Sequence, residues 1–249
     1  MTSHKRLFLS FIPGLLFLLG WELIVGHNAR LQFLFASPSL IASVGMEELS
    51  KASFYYDVGL TTLEAFAGLC IGVVTGTVCG LLLWSNRKLN FLARPYLILV
   101  GSIPIFTIAP VMIMWFGIGF LSKVVMSGFA VFFVALIQAY DGAQVAARDY
   151  ESLAIRLKAS RFQTIRKIIV PGALEWVFTG LKVNIGVALT GAFIAEFVSS
   201  EAGLGYYILR TSSLYDMPRA FFGLFVFCLI ALILTYGGEI LRQQIRKSL

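Results

Sequence analysis

Six long apolar runs separated by polar stretches dominate the chain, at about residues 7–25, 60–84, 96–116, 120–140, 177–198 and 221–241. Each is close to the roughly 20 residues an α-helix needs to cross bilayer hydrocarbon. The pattern predicts an all-α integral membrane protein, with six transmembrane helices in a single domain spanning 1–249. Lys5 and Arg6 precede the first run as in a signal peptide. Its apolar stretch nevertheless exceeds the roughly 7–15 residues of a signal core, and His27-Asn28-Ala29-Arg30 is a poor cleavage site, so it reads as a retained anchor.

Positive charge sets the expected orientation. Fourteen of the 20 basic residues fall at the N-terminus, in the links between runs two and three and between runs four and five, or at the C-terminus. By the positive-inside rule both termini are then cytoplasmic. Trp84 and Trp176 fall at expected inner boundaries and Trp115 near an outer one. Lys123 and Lys182 lie near run ends, positioned to snorkel.

Composition narrows the class further. The chain is 58% hydrophobic and 13% charged, with mean hydropathy +0.85, too apolar to cover its own surface in water. A soluble enzyme and a disordered chain are excluded. The net charge of +7 does not point to nucleic acid, because orientation alone accounts for the basic residues. Cys70, Cys79 and Cys228 sit inside apolar runs, and His4 and His27 flank the first, without metal-ligand spacing.

Three features break the apolar pattern. Gly68, Gly72, Gly76 and Gly80 repeat every fourth residue, which places them on one helix face. They form either a groove for a close-packed helix or a small-residue wall that slides during gating. The third run contains Gly101-Ser102-Ile103-Pro104 and Ala109-Pro110, and such interruptions survive in lipid only when buried in protein or lining a cavity. The freed backbone there, with Ser102 or Thr107, is a candidate pathway wall, the alternative being a structural kink. Ionisable groups come third: Glu64 in run two, and Lys182 and Glu196 bracketing run five, which also holds Asn184 and Thr190. A charge at mid-bilayer costs on the order of 3 kcal/mol, so these groups should face the bundle interior. Lys182 and Glu196 lie about 21 Å apart along a helix and cannot pair. Glu196 reads either as a hydrogen-bond anchor or as a solute ligand. No catalytic set can be assembled.

The polar segment 141–175 is too long for a passive turn. Residues 149–160 read as a helix capped by Asp149, with Glu151 in its first turn and Leu153, Ala154 and Leu157 on one apolar face. A second short helix, 161–170, is expected to stop at Pro171. The apolar face needs either the headgroup region or a groove on a soluble partner.

Here the sequence resembles the permease subunits of binding-protein-dependent ABC importers, whose cytoplasmic loop reads E-A-A, three residues, G, nine residues, I-x-L-P. This chain has Ser152-Leu153-Ala154, then Lys158, then Ile168-Ile169-Val170-Pro171. The spacing is intact, and lysine stands where glycine permits a tight turn, so Lys158 must adopt a strained backbone or relax the turn. Ser102-Ile103-Pro104 through Trp115-Phe116-Gly117-Ile118-Gly119 is similar to the nitrate/sulfonate/taurine/bicarbonate branch. So are Ala195-Glu196-Phe197 with Gly203-Leu204-Gly205-Tyr206, and Ala36-Ser37-Pro38-Ser39 opening an outer amphipathic helix.

The resemblance implies a multi-pass permease in a bacterial inner (plasma) membrane. It works with two ABC ATPase subunits, a second permease copy, most simply as a homodimer, a periplasmic or lipid-anchored solute-binding protein and membrane lipid. The chain binds no cofactor of its own, because ATP and magnesium sit on the ATPase subunits and no G-x-x-x-x-G-K-[ST] loop is present. Glu151, Ser152, Leu153, Ala154, Leu157, Lys158, Ala159 and Pro171 are then the coupling segment. Ser102, Pro104, Thr107, Asn184, Thr190 and Glu196 are the candidate pathway. The expected solute is small and anionic. A self-powered secondary transporter is the alternative, against which stand the long polar loop and the lack of an internal repeat.

Overall fold

A computed structural model describes residues 3–248; the side chains of residues 3–11, 29, 87, 94, 151, 152, 155, 241 and 245–248 lie outside the description. Lys5, Arg6, Arg246 and Lys247, which weigh on the expected orientation, are among them. No strand occurs among the described residues. The helices are α1 (Ser3–Gly26), α2 (Ala29–Phe35), α3 (Pro38–Glu48), α4 (Ala52–Ser85), α5 (Arg87–Gly101), α6 (Ile105–Phe116), α7 (Phe120–Arg156), α8 (Arg161–Thr164), α9 (Val170–Thr179), α10 (Leu181–Val198), α11 (Leu204–Ser213) and α12 (Met217–Ser248).

Local chemistry sets several helix starts. Asn28 accepts from the backbone N–H groups of Arg30 and Leu31, Ser37 caps α3 with Pro38 in its first turn, and Asn86 accepts from those of Lys88 and Leu89. Each satisfies donors that a helix N-terminus leaves free.

Among the described residues, α4, α7, α10 and α12 are long and apolar enough to cross a membrane, and Pro95–Gly101 of α5 with α6 is a pair of that length and composition bent by 91° at its break, as in a broken span or a re-entrant loop. The described apolar part of α1, Ile12–Gly26, is shorter than a full crossing. Contacts fix relative directions. Gly68 faces Ser127 while Gly80 faces Ala139, so α4 and α7 run parallel. Ser127 meets Ala188 whereas Gln138 meets Asn184, so α10 runs against α7. Phe193 meets Phe227 edge to face and Lys182 reaches Glu239, so α12 runs against α10.

The glycine stripe is a packing seam. A Cβ at Gly72 would lie 2.6 Å from the Gly128 carbonyl oxygen, and one at Gly76 2.9 Å from Ala135 Cβ. Two backbones therefore touch with almost no side chain between them, the close approach that drives helix association in lipid. The rest of α4 agrees. Thr61, Glu64 and the four glycines of the stripe are buried, while Leu63, Phe66, Ile71, Val74, Val78 and Leu82 are exposed. Such an inside-out helix suits an apolar solvent.

Several expectations need correcting. Residues 149–156 do not begin a new helix capped by Asp149; α7 continues unbroken for 37 residues from Phe120 to Arg156. Asp149 and Glu151 thus lie well inside the helix and complement no helix N-terminus. The reason lies in Gly142-Ala143-Gln144-Val145-Ala146-Ala147, mostly strong helix formers with no stop signal. Pro171 likewise does not end a helix. The chain passes from α8 through a π-helical turn at Ile165–Ile169 into α9 without leaving helical backbone, and Pro171 falls just after that turn. Pro104 does break the third run, whereas Pro110 lies inside α6. Lys123 does not snorkel: it is buried, its Nζ donating to the Gly119 carbonyl oxygen at 3.2 Å and 4.0 Å from Glu64 Oε1.

Candidate functional site

The first part of the candidate site is the turn after α7. The Ala159 N–H donates to the Ala154 carbonyl oxygen at 2.9 Å and that of Leu157 to Leu153 at 3.0 Å. This closes the helix around Lys158, whose φ is +52°. Left-handed backbone at a residue with a Cβ costs about 1–2 kcal/mol. Lys158 therefore keeps the tight geometry and bears its strain. Ser160 then starts α8 through a capping box, its hydroxyl accepting from the Gln163 N–H while Gln163 Oε1 accepts from the Ser160 N–H at 2.8 Å.

This turn presents a small apolar knob. Leu157 is 71% and Phe162 69% exposed, and Leu153 and Tyr150 are about half exposed. Arg148, Arg156, Lys158, Arg161, Arg166 and Lys167 surround it, all exposed. Large apolar groups exposed among cations suit either a protein groove or the lipid headgroup region. Ala154 does not share this face. It is 5% exposed and, with Ala159, lines a pocket of about 440 Å³ beside Trp84, Ile165 and Ile168. Pro171 lies on the following helix, half-buried. The side chains of Glu151 and Ser152 lie outside the described ones.

The second part is a groove of about 470 Å³ between the break in the third run, α7 and α10. Gly101, Ile103, Phe129, Phe133, Gly186 and Thr190 shape its wall, and Lys182 is the charged residue lining it. Ser102, Pro104, Thr107 and Thr190 are exposed. Each hydroxyl is tied to its own helix, Ser102 to the Ile98 carbonyl, Thr107 to Pro104 and Thr190 to Gly186. Of these candidates Thr190 lines the groove, and Ser102 and Pro104 flank it at the break. Asn184 points elsewhere: it is buried and donates to Gln138 Oε1 at 2.9 Å.

Glu196 sits in neither place. It is fully buried at the other end of α10, accepting from Thr61 Oγ1 at 2.6 Å and from the Gly205 N–H at 2.6 Å. Gly203, at φ +105°, packs against its carboxyl so closely that a Cβ would overlap it. The Gly203-Leu204-Gly205 turn is thus clamped to α4, helped by Asp57, which accepts from the Gly203 N–H at 2.8 Å.

Beyond the sequence-derived residues, the site includes Tyr150, Phe162, Phe129, Phe133 and Gly186. Ser160-Arg161-Phe162-Gln163 carried a legible capping-box signal that fixes where Phe162 emerges. Phe129 and Phe133, inside a uniformly apolar run, carried no signal of their own.

Comparison with known proteins places these features in context. Residues 68–247 match the family profile described as binding-protein-dependent transport system inner membrane component. The chain is 29% identical over 235 residues to the formylaminopyrimidine transport permease protein ThiX of Halalkalibacterium halodurans, covering 92% of each chain. It is 30% identical to the riboflavin transport system permease protein RibX of Chloroflexus aurantiacus, over 92% of this chain and 85% of that one. It is 28% identical to the taurine transport system permease protein TauC of Escherichia coli, over 74% and 65% respectively. Among solved structures, an inward-facing MetNI methionine ABC transporter shares the fold, with TM-score 0.68 and 16% identity over 77% of this chain and 95% of that one.

Proposed function

The chain belongs to the family of binding-protein-dependent transport system inner membrane components, and from that premise we propose how it works within its importer. It is a permease subunit of an ABC importer, and ATP hydrolysis belongs to separate subunits of such transporters. In our reading the 157–169 turn faces the cytoplasm, both termini lie on that side, and two copies of the chain enclose the pathway. The knob of Leu153, Leu157 and Phe162 seats in an apolar groove on an ATPase subunit. Closure of the two ATPase subunits then rocks the permease bundles between inward-facing and outward-facing states.

The observation carrying this reading is the left-handed turn at Lys158, which keeps the tight two-helix geometry although glycine is absent. That strain is hard to account for unless the turn must fit a partner. For the solute we propose a small organic molecule rather than an inorganic anion. Three of its relatives are named for formylaminopyrimidine, riboflavin and taurine, and the groove combines two phenylalanines with one lysine. An external solute-binding protein delivers the molecule.

Leu157→Asp tests the docking. It places a charge on an exposed residue that supports no packing within the chain, so the bundle should fold while solute-stimulated ATP hydrolysis by the assembled transporter is lost. Undiminished stimulation would remove Leu157 from the interface.

A further inference from the structure

On the side of α10 away from the candidate pathway, a groove of about 840 Å³ runs between α4, α9, α10 and α12. Phe66, Val73, Thr77 and Leu81 of α4 line it together with Phe178 of α9 and Gly237 of α12, and no charged residue does so among those described. From Phe66 to Leu81 it follows α4 for about 22 Å at 1.5 Å per residue. One leaflet is about 15 Å deep, half of a roughly 30 Å hydrocarbon core, so an acyl chain fits along it.

The groove leads to the cavity of about 440 Å³ beside the turn after α7. Thr77, Leu81, Trp84 and Ser85 follow at i, i+4, i+7 and i+8, so one face of α4 lines first the groove and then the cavity. Leu81 and Trp84 pack with Ile168 where the two meet. The chemistry changes at that point. Arg161 is the charged residue lining the cavity, and no carboxylate lines it among the described residues. Arg161 Nη2 donates to the Ser85 carbonyl oxygen at 3.4 Å, which uses one of five N–H donors and leaves the others for an anion. Lys158, Arg166 and Lys167 add exposed charge of the same sign nearby.

The occupant that fits is long and apolar at one end and anionic at the other. An anionic phospholipid has that form, and basic pockets between crossing helices bind such headgroups. A helix from a second copy fits less well. Leu15, Leu16 and Phe17 leave α1 exposed and apolar, but its N-terminal end carries Lys5 and Arg6, which in the orientation proposed above would set like charges beside Arg161.

We propose that this groove and cavity form a binding site for one anionic phospholipid of the leaflet bordering the 157–169 turn, with an acyl chain along α4 and the phosphate on Arg161. The lipid bridges the crossing helix α4 to the turn after α7.

The purified transporter in phosphatidylcholine vesicles tests the site, with phosphatidylglycerol as the anionic probe. Either lipid is brominated near the headgroup end of its acyl chains, and quenching of Trp84 is read as the difference between wild type and Trp84→Phe. Half-maximal quenching should need about fivefold less phosphatidylglycerol than phosphatidylcholine, the effect of one cation beside an anionic headgroup. Arg161→Gln should abolish that preference, and Arg161→Lys should keep most of it. Gly237→Leu places a side chain in the groove where a Cβ meets nothing within 4 Å, and should weaken quenching by both lipids. The vesicles carry lipid in both leaflets, so the result is independent of the proposed orientation. Equal quenching by the two lipids, a preference that survives Arg161→Gln, or one that inorganic phosphate abolishes would each overturn the proposal. So would a Trp84 that neither lipid quenches because a protein helix covers the groove. If Arg161→Gln does not assemble, unchanged quenching in Gly237→Leu overturns it from the other end.

Discussion

The seam between α4 and α7 gives a quantitative test of how the bundle is held. Gly59 and Gly72 lie on the same helix, yet a Cβ at Gly59 meets nothing within 4 Å, while one at Gly72 lies 2.6 Å from the Gly128 carbonyl oxygen and 2.7 Å from Val131 Cβ. Ordinary contact starts near 3.4 Å, so Gly72→Ala must part the two backbones locally by about 0.8 Å. A gap of that size forfeits a quarter to a half of each dispersion contact along the seam, and overpacking of this kind typically costs about 1–3 kcal/mol. Gly59→Ala meets no such obstacle and gains roughly 0.5–1 kcal/mol of helix propensity. Thermal unfolding of the detergent-solubilised protein, followed by tryptophan fluorescence, should therefore rank Gly59→Ala at or above wild type. Gly72→Ala should fall below it, and Gly72→Ala/Gly76→Ala lower still. Equal midpoints for Gly59→Ala and Gly72→Ala would refute backbone contact along the seam.

Further predictions concern the two ends of the bundle. Lys158→Gly should relieve the left-handed strain and stabilise the turn by about 1 kcal/mol, read as slower proteolytic cleavage between α7 and α8; faster cleavage would show that Lys158 makes a contact that outweighs its backbone. Arg219 of α12 binds Glu48 at 2.7 Å and Glu47 at 2.9 Å on α3 and also pairs with Asp216, while Lys51 binds both glutamates. Arg219→Met should release α3, seen as faster hydrogen exchange over Pro38–Glu48. Acid should act in the same way. Burial pushes the Glu48 carboxyl up, but hydrogen bonds from Lys51 and Arg219 outweigh it and hold it below its usual value of 4.5; Glu47 is held low chiefly by Lys51. Their stabilisation is thus present above pH 4.5 and lost as the pH falls through the lowered values, so α3 protection, measured relative to intrinsic amide exchange at each pH, that is unchanged between pH 6 and pH 3 would contradict the clasp.

How much of this was legible in the sequence depended on whether the signal was local. The glycine seam was, because a four-residue repeat of small residues fixes a helix face without knowledge of the partner. The break at Pro104 was, because proline acts on its own backbone. The turn at Lys158 was legible through the family resemblance, which puts Lys158 at the glycine position but leaves a strained and a relaxed turn both open. The junction between α7 and the polar segment was not legible, because an apolar run can end while its helix continues, and Ala143 to Ala147 carry the helix onward. The burial of Ala154 was not legible either, because an isolated helix gives periodicity but not what packs on each side. The partners of Glu196 were beyond reach for another reason. Thr61 is 135 residues away, and only the register between α4 and α10 brings the two together.

The central claim is that this chain moves solute as one part of an ATP-driven assembly. The direct measurement is gentle purification of the tagged chain from its native membrane, identification of every co-purifying protein, and reconstitution of the product in vesicles. The account predicts an ATP-binding subunit at one per permease chain and uptake that requires ATP. A chain that purifies alone and carries solute without ATP would contradict it and point to a secondary transporter.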